Sequence, residues 1–166
     1  MKKIIALAAL VALSSSGAAL AQQASTELNT LPFGIELMIT SSSEVMKYGR
    51  CIAPVEVGGA GCRTYEILDK FSAEMSDGGK VVSIKFRSDK FPQNWVALGL
   101  VEGMLLDNFL ATIKSIGAER IRVIAKESYN GLDGRYDVYF SEGKYVYHAS
   151  FPWGKKIQYV TVSPAY

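Results

Sequence analysis

The chain has 166 residues, with 18 lysines and arginines against 16 acids and a formal charge of +2. Lys2 and Lys3 account for that surplus, so the chain beyond residue 21 is neutral and has no basic run. This excludes the electrostatic footprint that phosphate backbones demand, and nucleic acid is not an expected partner.

Residues 1–21 have the layout of a cleavable export signal. Lys2 and Lys3 precede the apolar run 4–13, and Ala19-Leu20-Ala21 supplies a small-x-small cleavage pattern. Removing 21 of the 166 residues leaves 145, enough for one domain that buries most of its apolar side chains. The expected destination is the periplasm or the exterior, with an uncleaved N-terminal anchor as the alternative. A lipid anchor would need a cysteine at the processing point, where Gln22 and Gln23 stand. No later segment offers the roughly 20 apolar residues of a membrane helix, so no stable membrane insertion is expected.

A polar linker, 22–30, leads into a single compact domain, 31–166. Residues 31–37 read as a short extended or turn segment packed by Leu31, Phe33, Ile35 and Leu37. Ser41 and Glu44 stand at capping-box spacing and predict a short helix, with Gly49 as a left-handed stop. Cys51 and Cys62 enclose a glycine-rich segment and predict a disulfide that closes a loop in an oxidising compartment. Residues 65–68 suit a strand or a first helical turn equally.

From residue 71 the pattern sharpens. Phe71, Ala73 and Met75 alternate, Asp77-Gly78-Gly79 makes a turn, and residues 80–86 are β-rich, which together predict a hairpin. A polar stretch, 87–94, is followed by apolar residues at helical spacing from Val96 to Ile116, ending at Gly117. This predicts a long amphipathic helix, either continuous or broken near Gly103 with Asp107 as a new cap. Four strands follow, at 120–126, 135–141, 144–151 and 157–162. The fold class is therefore α+β, helices packed on an antiparallel β-sheet.

Residues 71–78 and 136–143 match in pattern at an offset of 65, which also sets Phe86 on Phe151. Two tandem helix-plus-sheet repeats, 31–90 and 91–166, would explain this, and so would a chance match between short amphipathic segments. Gly103-Met104, the capping Asp107 and a helix ending at Gly117 resemble the Gly-Met-Thr helix opening of one superfamily. Its members are the tandem-repeat β-lactamase inhibitory proteins and the single-repeat outer-membrane assembly lipoproteins of the BamE type. The first copy departs from that opening, with Leu37-Met38-Ile39-Thr40 and no glycine, and the lipoprotein cysteine is absent. The resemblance implies a protein that binds another protein.

Chemistry-bearing motifs are few. His148 is the lone histidine, which excludes a multi-histidine metal centre, and in the 145–149 strand it reads as an ordinary strand residue. No serine sits in a nucleophile elbow, and Gly58-Gly59-Ala60-Gly61 lacks the Gly-Lys-Ser/Thr end of a phosphate loop. Neither a metal nor a cofactor is expected. Glu127, Asp133 and Asp137 are the carboxylates that a glycoside hydrolase would need to bring together.

Aromatic residues crowd the last third, where seven of nine tyrosines follow Ser128. Alternation puts Tyr139 opposite Tyr136 and Phe140, and gathers Tyr145, Tyr147 and Phe151 on one face of the next strand. Such rings either fill a core or form a binding face, and the candidate contacts are Tyr139, Tyr145, Tyr147 and Trp153. The expected function is a non-catalytic protein-binding module with a partner in the cell envelope, most concretely an inhibitor or neutraliser of a secreted or periplasmic hydrolase. The alternatives are an envelope-assembly scaffold and a small periplasmic hydrolase or ligand carrier.

Overall fold

The structure, a computed structural model, describes residues 28–55, 61–127, 134–152 and 156–165. The expected signal, 1–21, lies outside them. Eight strands, β1 (Gly49–Pro54), β2 (Cys62–Ile67), β3 (Phe71–Met75), β4 (Val81–Arg87), β5 (Glu119–Lys126), β6 (Arg135–Glu142), β7 (Tyr145–Pro152) and β8 (Tyr159–Pro164), form one antiparallel sheet. Their order is β1-β2-β3-β4-β8-β7-β6-β5. Two four-stranded meanders thus meet where β4 pairs with β8, Ile84 opposite Val162 and Phe86 opposite Val160.

Helices are the minor component, 21% against 47% strand, so this α+β chain is sheet-dominated. They are α1 (Ser42–Val45), α2 (Gln93–Ala97) and α3 (Leu106–Ser115). The predicted capping box is present, with Glu44 accepting from the Ser41 backbone at 2.7 Å. The helical stretch is divided in two, with Gly103 inside the gap between α2 and α3, and α2 stops before it where Gly99 takes φ 92°. The Leu100 amide reaches back to the Trp95 carbonyl and that of Gly99 to Val96, the double closure of a Schellman stop. Gly117 closes α3 the same way, with Ala118 bonded to Ile113. The N-cap of α3 is Leu105; Asp107 lies inside its first turn.

Gly49 does not end a helix in the left-handed region; it opens β1. A Cβ there would meet the Ile67 side chain and lie 2.8 Å from the Glu66 carbonyl, so glycine serves close strand approach. The predicted disulfide joins Cys51 to Cys62, with Cα atoms 5.8 Å apart, and ties the edge strand β1 to β2.

Alternation along the strands turns one sheet face toward the helices. Ile67, Phe71, Phe86, Val138, Phe140, Tyr147, Phe151, Val160 and Val162 share one core with Trp95, Phe109 and Ile113. A chain of rings runs through it. Phe109 contacts Phe140 and Phe151, Phe140 stacks on Tyr147 at 4.8 Å, Tyr147 meets Trp95, and Trp95 meets Phe86 and Phe91. Phe86 then leads through Phe71 and Phe33 to Tyr48.

The linker expected to run to residue 30 is already packed at Leu28, which is 0% exposed. Its carbonyl accepts from Trp95 Nε1 and from the Tyr147 hydroxyl, both at 3.2 Å. Burial, and after it the charge of Glu142, pushes the Tyr147 phenol well above its ordinary value, so the hydroxyl remains a donor.

The offset of 65 has a local cause. Phe71 pairs with Phe86 across β3 and β4, and Tyr136 pairs with Phe151 across β6 and β7, so it superposes two hairpins of the same register. Those hairpins hold different places, third and fourth strand in one meander and second and third in the other.

Candidate functional site

The sheet face turned away from the helices, the outer face, carries the chemistry. Because side chains alternate, the residues between the core positions of β6, β7, β8 and β4 all point there: Asp137, Tyr139, His148, Ser150, Tyr159, Thr161, Lys85 and Arg87. Register sets them in rows. Arg122, Tyr139, His148, Thr161 and Lys85 follow one another as direct cross-strand partners over five strands. Ile124, Asp137, Ser150, Tyr159 and Arg87 form the row beside it.

Asp137 is the buried anchor of this surface, 0% exposed. Lys126 Nζ lies 2.9 Å from its Oδ2, Arg135 Nε 3.2 Å from the same oxygen, and His148 Nε2 3.0 Å from Oδ1. Burial by itself would raise the Asp137 pKa, but the bonds from Lys126 and His148 and the charge of Arg135 outweigh it and hold the carboxyl below its ordinary value. The bond to Asp137 in turn raises Lys126. A desolvated carboxylate is kept charged by three partners, two of which are always or nearly always cationic.

Above it sits an aromatic stack. The Tyr139 ring lies parallel to His148, 4.6 Å away at 8°, and His148 meets the edge of Tyr159 at 5.8 Å. Lys85 Nζ stands 3.9 Å from the Tyr159 centroid, a cation–π contact. An open groove of about 550 Å³ continues from Tyr159, Lys85 and Arg87 to Glu102 and Gln158. This half of the face thus carries Arg122, Lys126, Arg135, Lys85 and Arg87 against the fully engaged Asp137, Glu102 in the groove, and Asp89 at the margin, held by Arg87 at 3.1 Å. The far half of the face is balanced by the Arg50–Glu66 pair at 2.5 Å.

The sequence-selected residues separate here. Tyr139 is on the outer face and half-buried. Tyr145 and Tyr147, 3% and 0% exposed, point the other way into the core, so they are not surface contacts: the helices cover the tyrosine-bearing face of β7 and leave the His148 face outward. Trp153 lies outside the described residues, as does Asp133. Glu127 is exposed just beyond β5, and Asp137 is in the ion cluster. Tyr159 and Lys85 went unselected. The signal for the Asp137–His148 pairing was present in the sequence, because a two-residue turn at Gly143-Lys144 sets Glu142 opposite Tyr145 and brings Asp137 diagonal to His148.

The Asp137–His148 bond is the orienting half of an acid–base relay. Among the described residues no serine, threonine or cysteine hydroxyl or thiol is bonded to the other ring nitrogen of His148, and no group of three His, Cys, Asp or Glu is placed to hold a metal. No helix among them is long and apolar enough to cross a membrane.

Fold and surface together define a sheet-dominated α+β chain with a cationic aromatic cluster on its outer face. A solved structure shares the fold: a DUF4309 family protein (YjgB) from Bacillus subtilis subsp. subtilis str. 168, with TM-score 0.52 and 16% identity over 88% of this chain and 93% of that one. No protein-family model and no curated protein matches the chain.

Proposed function

We propose that the chain is an exported, non-catalytic protein-binding module that uses its outer face as the contact surface, with inhibition or neutralisation of a secreted or periplasmic hydrolase as its role. The observation that carries this reading is the row Arg122–Tyr139–His148–Thr161–Lys85, continued by Tyr159 and Arg87. Tyrosine and arginine are the residues on which interface energy concentrates, and rings fixed by stacking lose little entropy on binding. The surplus of cations selects an acidic surface on the partner. The disulfide supports the exported setting, as does the start of the chain.

We read the two meanders, each preceded by a helical segment, as copies of one unit that share a sheet, the architecture implied by the β-lactamase inhibitory protein resemblance; this rests on their arrangement and not on the 65-residue offset, which aligns hairpins in different places. An envelope-assembly scaffold would use the same face. Crosslinked capture from envelope extracts is expected to recover one stoichiometric protein, released by raised salt and lost with Tyr159→Ala and with Lys85→Glu. Retention by both variants would sink the reading. The Asp137–His148 bond favours one second reading, a hydrolase, which requires a turnover abolished by His148→Ala.

A further inference from the structure

On the helix side of the sheet, a groove of about 440 Å³ opens between the Pro32–Gly34 turn and residues 88–94. Phe33, Phe71, Phe86 and Phe91 wall it, and Lys70 and Lys90 stand on its lining. Its size and its apolar walls with few charges are those of a small-molecule site.

Its charge is one-sided. Asp89, the carboxylate on the lining, is engaged by Arg87 at 3.1 Å, whereas neither Lys70 nor Lys90 has an ion-pair partner among the described residues. The aromatic wall is held at a cost. Phe33 has φ 59°, a conformation that L-residues avoid, and the residue is 45% exposed, so core burial is a poor account of its placement. Stacking on Tyr48 at 5.2 Å and contact with Phe71 at 6.1 Å keep that ring upright beside the groove.

We propose that this groove binds a small organic anion with a flat apolar body, the class of aromatic carboxylates and sulfonates. The ring of the ligand lies between Phe33 and Phe91, and its charge faces Lys70 and Lys90. The site is independent of the outer face.

Two probes test it on the oxidised, signal-free protein: anilinonaphthalene sulfonate, which is anionic, and the neutral N-phenylnaphthylamine. One saturable site for the sulfonate is expected. Lys70→Gln with Lys90→Gln should weaken the sulfonate about tenfold and leave the neutral probe unchanged, because only the charge-assisted contacts are lost. Phe33→Ala should weaken both probes, and Tyr159→Ala on the outer face neither. Phe33, Lys70 and Lys90 are exposed, so these variants keep the core intact. Absence of saturable sulfonate binding overturns the proposal, and so does a double lysine variant that binds the sulfonate normally or loses both probes equally.

Discussion

Asp137 shows what a single residue contributes here. Its carboxyl is held below its ordinary value in the folded protein, so the stability it contributes is present above the unfolded carboxylate range and is lost as pH falls through the folded value. The melting temperature should therefore drop below about pH 4, near the reference carboxylate pKa. Asp137→Asn removes the charge with little change of shape and leaves Lys126, Arg135 and His148 facing one another. It should cost about 2 kcal/mol at neutral pH, less than a fully buried pair because the cations are partly solvated. It should also flatten the acid decline; an unchanged decline in denaturant melts across that range would show that other carboxylates control it. At this scale the sequence was only half legible. His148 was readable as a strand residue and Tyr139 as pointing opposite to Phe140. Which face of β7 the helices would cover is decided by Phe109 and Trp95, distant in the chain, and that choice sends Tyr145 and Tyr147 inward.

Elements were legible where a period or a glycine marks them. The strands after residue 119 lie within two residues of expectation, and Gly117 stops α3 as read. β1 was missed because Arg50-Cys51-Ile52-Ala53-Pro54 has no alternation; as an edge strand with one neighbour it buries little, and its place comes from Gly49, the bulges against β2 and the disulfide. The break was legible near Gly103 but its start at Gly99 was not, because apolar spacing continues across that glycine and only backbone conformation reveals the stop. The disulfide spans a sequence separation of 11, for which loop-closure entropy gives about 3 kcal/mol. Cys51→Ser with Cys62→Ser should lower the denaturation free energy by about that much. Amide exchange should rise first in β1, and a uniform rise over the sheet would contradict the edge-pinning account.

At the scale of the whole molecule, the two meanders are not separable domains. Each lacks an edge it could close alone, because β4 and β8 hydrogen-bond to each other at the centre, and the ring chain crosses the same seam through Phe86, Trp95 and Tyr147. Trp95 comes from the segment between the meanders and packs against both, with its indole bonded to Leu28 ahead of the first. Folding one half would leave Phe86 and Val160 with an unpaired sheet edge beside them, so cooperativity should extend over the full described fold. Phe86→Leu tests this. It removes the ring contacts that Phe86 makes with Phe71 and Trp95 and should cost about 1–2 kcal/mol. If the sheet is one unit, calorimetry shows a single transition at lower temperature, and amide protection falls in parallel in β2 and in β6, two strands from the substitution on one side and three on the other. Protection lost in β2 and kept in β6 would mean that the halves fold separately. The outer face would then span a joint in place of a rigid sheet, removing the preorganisation on which a binding surface of stacked Tyr139, His148 and Tyr159 depends.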